Sequence, residues 1–251
     1  MCLKVVITHL LVLYYKVHVV IWLGEYVNMA RPTKNAQGKG NVDWTKEKLI
    51  LAAAEQFSIH GFEGASLSKI REKVGVKNST IMYHFKSKQG LYLAVNKHLE
   101  QSFRELVETI VTTHSSLDVL QRFRVFCCEL SQWCQKEQTF TAIIMQEMLN
   151  KQLHSSNSSI YQNIGLHFQQ VIKFLQGEEV DHLWRKLDWQ VFIINVVFSI
   201  LVGQGISVAI PMALGIPEDV YKQQQLDQVI QTYLLANIVD QELVKTFIES
   251  V

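Results

Sequence analysis

Residues 66–88 read SLSKIREKVGVKNSTIMYHFKSK, and this run decides the fold. Ser66 is a good N-cap type and stands directly before Leu67, Ile70 and Val74, which line one face of a helix of about eight residues. Gly75 stops that helix, because glycine enters a left-handed turn at no steric cost. Val76 then plugs the turn into the core. A further helix runs from about Asn78 to His84, with Ile81 and Phe85 facing in. Two short helices joined by a tight glycine turn make a helix-turn-helix. Spacing alone would also suit a plain packed corner, so the flanks have to discriminate.

Upstream, residues 45–60 read TKEKLILAAAEQFSIH. Thr45 is placed as the N-cap and Glu47 stands in the first turn, where the helix dipole favours an acid. Ile50, Ala53, Ala54 and Phe57 recur at helical spacing and predict the buried face, and Gly61 ends the helix. Phe62 packs inward after it. Downstream, Ser87 caps a long helix whose stripe is Leu91, Val95, Leu99, Leu106 and Ile110, reaching to about residue 112.

Charge supports the same division. Residues 29–112 carry thirteen Lys/Arg against eight Asp/Glu, whereas residues 113–251 carry nine against fourteen. A total of +1 therefore conceals a basic N-terminal part and an acidic remainder, which is the pattern of a chain that meets a polyanion at one end.

Residues 45–91 resemble the DNA-binding domain of the TetR/AcrR family of transcriptional regulators. The resemblance rests on Phe57 and Gly61, on Ile70, Gly75 and Val76, and on the stretch Thr80-Ile81-Met82-Tyr83-His84-Phe85-Lys86-Ser87-Lys88. It departs at Arg71, where the family usually has Ala near the crossing of the two helices. Either the Arg71 stem lies along the surface with its head in solvent, or the crossing opens slightly. Met82 stands where an aromatic is common and could meet a thymine methyl. Gly90 loses the acidic half of a capping box.

The resemblance implies an all-α, two-domain homodimeric regulator, most simply a cytoplasmic repressor on a palindromic operator, released by a small-molecule effector. Lys77, Asn78, Ser79 and Thr80 would sit at the N-terminus of the reading helix, near base edges in the major groove. Asn78 pairs well with adenine, although it also suits a cap. Tyr83, His84 and Lys88 match family positions that touch the phosphate backbone; His84 also reads as a half-buried surface histidine. Thr45, Ser66 and Ser68 stand at helix starts, where hydroxyls and free amides suit phosphate oxygens.

The remainder stays helical. Helices are expected near residues 117–136, 139–153, 158–176, 188–210 and 222–248, and no strand alternation competes. Residues 191–210 hold no charge. Length alone would let them span a membrane, but Asn195, Ser199, Gln204 and Ser207 interrupt the run and no basic cluster flanks it. A dimer helix plus core is the better expectation, with Gly203 and Gly205 permitting close approach and Val197 or Ile200 as the positions where an introduced carboxylate would split the pair. Trp133, Gln146, Tyr161 and Gln204 are the polar-tipped candidates for an effector pocket among many aromatics that equally suit a core.

Other chemistries lack their residues. No glycine-rich phosphate loop, Cys-x-x-Cys pair or His-Glu-x-x-His is present, so neither an enzyme, a metal site nor a cofactor is expected. Cys127 and Cys134 share a helix face and read as structural thiols rather than a sensor. His114, His154, His167 and His182 show no ligand spacing and read as surface groups. Four cysteines in 251 residues suit a reducing compartment.

The domain boundaries expected are 1–28, 29–44, 45–91 and 92–251. Residues 5–23 are apolar but hold His9, Lys16 and His18, which are costly at mid-bilayer. Residues 1–28 are therefore read as a start set too early, with Met29 opening an ordinary beginning and 29–44 a basic arm. A membrane-tethered DNA-binding protein is the alternative, and an all-α scaffold without DNA binding the second.

Overall fold

The computed structural model describes residues 41–149, 159–177, 183–205, 211 and 213–250. Residues 1–28, most of the arm at 29–44 and the far ends of the expected helices 139–153 and 188–210 lie outside these. The described residues form ten helices: α1 Asn41–Gly64, α2 Leu67–Val74, α3 Asn78–Phe85, α4 Lys88–Thr113, α5 Val119–Lys136, α6 Gln138–Leu149, α7 Ser159–Gln176, α8 Trp189–Gly205, α9 Glu218–Asn237 and α10 Gln241–Glu249. Among them β pairing is confined to one isolated antiparallel bridge, Trp184 with Ile238. The all-α expectation holds.

Two compact units divide the chain. The first takes residues up to Gln101 together with Gln138–Asn157, and the second takes Ser102–Glu137 and Ser158–Val251. Helix α6 therefore packs with the N-terminal helices, against α1, although the chain reaches it only after α5.

In the first unit the core is Leu49, Ala53, Phe57, Ile70, Ile81, Leu91 and Val95, all essentially inaccessible. Leu49, rather than the expected Ile50, is the fully buried residue of the first α1 turns. Phe57 meets the Tyr92 ring edge-on at 4.9 Å, and Phe62 meets the same ring at 5.1 Å. Helix α1 begins at Asn41, so Thr45 lies inside it and is not its N-cap. The turn preceding Thr45 has helical geometry, and a cap can act only where the ladder of amides starts. At Gly61 the backbone leaves helical geometry (φ 69°, ψ 176°), as its glycine predicted, before one more turn reaches Gly64.

The corners are held by the expected residues. Ser66 Oγ accepts the Lys69 amide at 3.5 Å, and Gly75 closes α2 in the left-handed region (φ 77°), its amide donating to the Arg71 and Glu72 carbonyls. Ser87 Oγ accepts the Gly90 amide at 2.9 Å and so caps α4. Arg71 is partly exposed, and its guanidinium pairs with Glu72 at 3.3 Å.

In the second unit Asp118 caps α5 through a reciprocal box: its carboxylate accepts the Leu120 and Gln121 amides, and Gln121 Oε1 accepts the Asp118 amide. Phe123, Phe126, Leu130, Leu175, Ile193, Val196, Ile200 and Leu234 fill its core. The expected single helix 222–248 is instead α9 and α10. The break falls at residues 238–240, where the Val239 amide donates to the Leu183 carbonyl and Asp240 caps α10 through the Glu242 and Leu243 amides.

The uncharged run also resolves differently from expectation. Val197 and Ile200 are core, 8 % and 0 % exposed, whereas Val191, Ile194 and Phe198 are 53, 56 and 48 % exposed. Their spacing of three and four residues makes one outward stripe on α8. Gly203 permits a close approach as expected, but to Gln225 of α9 in the same chain: a Cβ there would collide with the Gln225 amide. Among the described residues no helix is long and apolar enough to cross a membrane. The residues that carried the tethered alternative, 1–28, lie outside the described part.

Candidate nucleic-acid interface

Helix α3 is divided into two faces by its own sequence. Ile81 and Phe85 are buried against the first unit, and the opposite face presents Asn78, Ser79, Met82 and Tyr83 to solvent. Lys77 precedes the helix as its N-cap with no side-chain cap bond. Asn78 is thus the first helical residue and does not serve as the cap. Thr80 and His84 are half-buried at the edge of the face. Tyr83 is 70 % exposed, a large aromatic kept out of a core that would take it. An exposed amphipathic ring is informative where an exposed small apolar residue would not be.

The stretch of chain that contains α3 carries charge of one sign. No acidic residue occurs between Glu72 and Glu100, while Lys73, Lys77, Lys86, Lys88 and Lys97 do. Lys73 is engaged by Glu55 of α1. Lys86 adopts a positive φ of 66°, the only non-glycine among the described residues to do so, and its ammonium stands 5.8 Å from the Tyr83 ring centroid. That geometry keeps a cation at the C-terminal end of the exposed face, where a helix dipole also favours it. Lys86 was not singled out from sequence. The acid-free stretch was the available clue.

Lys88 is more tied down than expected. Its ammonium donates to the Glu63 carbonyl at 2.9 Å and lies 5.1 Å from the Phe62 ring centroid, closing the end of α1 onto the start of α4. An ammonium has three donors, so this bond leaves capacity for an anion. Ser66 and Ser68 stand at the start of α2, half-buried and exposed respectively. Thr45 is half-buried within α1, four residues from its first residue, and so loses the free-amide setting assumed for it. Beside it, Trp44 is exposed and carries the Lys48 ammonium 3.5 Å from its ring centroid.

The four effector candidates do not assemble as one set. Trp133 is buried in the second unit, its indole N–H donating to Ser102 Oγ at 3.1 Å and its ring edge-on to Phe103. Gln204 is buried in the same unit and donates to Ser131 Oγ at 2.9 Å. Gln146 belongs to the first unit, where its amide donates to the Ser58 carbonyl. The Tyr161 backbone lies in α7, and its side chain lies outside the described part.

His167 is buried beside the Phe103 ring, not at the surface, because α7 turns that face inward. Burial pushes the Cys127 thiol well above its ordinary value and raises Cys128 as well, which disfavours the reactive thiolate. Among the described residues no three His, Cys, Asp or Glu groups converge as metal ligands.

Residues 49–95 match the family model described as bacterial regulatory proteins, tetR family. The chain is 34 % identical over 101 residues to the HTH-type transcriptional regulator RutR of Escherichia coli K12, covering 34 % of this chain and 48 % of that one. It is 30 % identical over 81 residues to the biofilm operon icaADBC HTH-type negative transcriptional regulator IcaR of Staphylococcus epidermidis, 31 % of this chain and 42 % of that one. The chain thus spans about half the length of these relatives. A solved tetR-family chain from Shewanella sp. PV-4 superposes with a TM-score of 0.59 over 78 % of this chain and 99 % of that one, at 16 % identity, a likeness of fold. The matched segment runs from within α1 into the first turns of α4, so residues 49–95 are similar to the bacterial regulatory proteins of the tetR family, and the helices beyond them share the fold of the solved tetR-family chain.

Proposed function

We propose that the protein is a sequence-specific DNA-binding repressor that acts in the cytoplasm as a homodimer on a palindromic operator and is released by a small-molecule effector. The observation that carries this reading is the outward face of α3, acid-free, lysine-flanked and bearing an exposed Tyr83. In this reading residues 45–91 read DNA and 92–251 govern dimerisation and release. IcaR, matched over 81 residues, is named a negative regulator, which supports repression over activation.

Asn78, Ser79 and Lys77 open the helix that enters the major groove, with Thr80 at their edge. Tyr83, His84, Lys88, Lys86, Ser66 and Ser68 surround them as backbone contacts. Thr45 belongs to this set only through its place near the start of α1.

Two substitutions separate the roles. Asn78→Ala is expected to relax preference at one base position, worth about 1–3 kcal/mol, when duplexes selected from random sequence are compared. Lys86→Ala is expected to weaken all duplexes alike and to flatten the salt dependence by about one unit of slope. Parent-like binding by both variants would remove α3 as the reading helix.

The effector reading rests on the buried polar groups of the second unit, Trp133 and Gln204, set among aromatic side chains. A hydrophobic or aromatic ligand bound there is expected to raise the melting temperature, because it binds only the folded state, and to weaken operator binding by reciprocal coupling. A compound library screened first by melting shift and then by DNA release checks both. A ligand that stabilises strongly yet leaves operator affinity unchanged is not the effector.

A further inference from the structure

We infer that Gln146 is a positioning residue for DNA reading, acting through the Ser58 carbonyl at the break in α1. The inference rests on the DNA-binding role proposed above. Helix α6 packs along α1, and Gln146 Nε2 on α6 donates to the Ser58 carbonyl oxygen. Three residues beyond Ser58, Gly61 leaves helical geometry at φ 69° and ψ 176°. The orientation of the Phe62 amide follows that ψ, so the turn that would satisfy the Ser58 carbonyl is interrupted. Ser58 is fully buried, which denies it water as a substitute. Gln146 supplies the donor from outside the helix. Its Oε1 lies 3.6 Å from where a Cβ on Gly61 would stand, so the amide sits on the break itself.

The contact lies within the first unit, where α6 packs on α1 and α1 in turn packs on α2. Gln146 thus holds α1 at its break and, through it, the setting of the reading helices, rather than lining an effector site.

The test uses the full chain and three variants. Gln146→Met keeps the length and removes the donor; Gln146→His keeps an N–H at similar reach; Gln146→Asn keeps the amide one methylene short. Hydrogen exchange is read on residues 57–64 and 138–149, with 119–136 and 189–205 as internal controls. Loss of one buried hydrogen bond is expected to raise exchange in the first two segments about tenfold in Gln146→Met and to leave the controls unchanged.

On duplexes selected by the parent, Gln146→Met is expected to bind about tenfold more weakly with an unchanged salt slope, because no phosphate contact is lost. Gln146→His is expected to restore both readings. Parent-like exchange in Gln146→Met overturns the clamp. Raised exchange with parent-like affinity, or affinity that Gln146→His fails to restore, overturns its positioning role. If Gln146→Met does not fold, Gln146→Asn takes its place, with the same expected and overturning results. A parent that selects no duplex would defeat the DNA-binding proposal, while the exchange measurement would still decide whether the clamp exists.

Discussion

Replacing Ile200 by aspartate is expected to unfold the protein, whereas Phe198→Asp, two residues away on the same helix, is expected to leave it folded and monomeric. Ile200 is inaccessible in the core of the second unit, on a helix that packs with α5, α7 and α9. A carboxylate there forfeits the buried side chain and buries a charge without a partner, together about 4 kcal/mol or more. That is a large share of the 5–15 kcal/mol by which domains are usually stable.

Phe198 points outward with Val191 and Ile194. Three large apolar side chains in one exposed stripe of a helix fit an isologous contact with a second copy of the chain. Aspartate at Phe198 would place two carboxylates across such a two-fold contact. Sedimentation and thermal melting distinguish the outcomes. The expected result is monomer with a near-parental single-chain melt for Phe198→Asp, and loss of the cooperative melt for Ile200→Asp. A dimeric, soluble Phe198→Asp would move the proposed interface away from α8.

Gly90→Ala is the second substitution with a large expected effect. Gly90 stands in the first turn of α4, where a Cβ would collide with the Phe85 carbonyl at the end of α3. The obstacle is backbone, so it cannot swing aside as a flexible side chain would. The corner is already constrained by the positive φ of Lys86 and by the Ser87 cap. The expected cost is about 1–3 kcal/mol of stability, as for other overpacked sites. The α3–α4 angle opens at the same time, so affinity should fall for every duplex and not for one base position. Gln89→Ala, one residue earlier and exposed, is the control and should stay within about 0.5 kcal/mol of the parent. Equal melting of the two variants would show that the corner yields more easily than its geometry indicates.

The first unit was legible in detail because its determinants are local. Ser66 caps the residue three positions on, Gly75 turns where a left-handed residue is needed, and Ser87 caps Gly90. Each of these is a choice of residue type whose partner lies within one helical turn. The helical nature of the second unit was legible from the run of apolar and polar residues without strand alternation, whereas the Asp118 cap of α5 was not singled out. Thr45 misled because it is also a good N-cap type, and residue type alone cannot say that Asn41 to Trp44 are already helical.

The amino-acid sequence by itself therefore determined the all-α class, the helix-turn-helix, the likeness of residues 49–95 to the tetR family and, through Ile81 and Phe85, the buried face of α3. Only the tertiary structure decided which apolar residues of α8 are core. That helix is apolar around most of its circumference, so its period carries no direction until α5, α7 and α9 pack on it. Tertiary structure likewise decided the partners of the buried polar groups. Trp133 reaches Ser102 across 31 residues, Gln204 reaches Ser131 across 73, and Gln146 reaches Ser58 across 88. A buried amide must be satisfied, but which group satisfies it depends on what the folded chain brings near, and no local pattern records that.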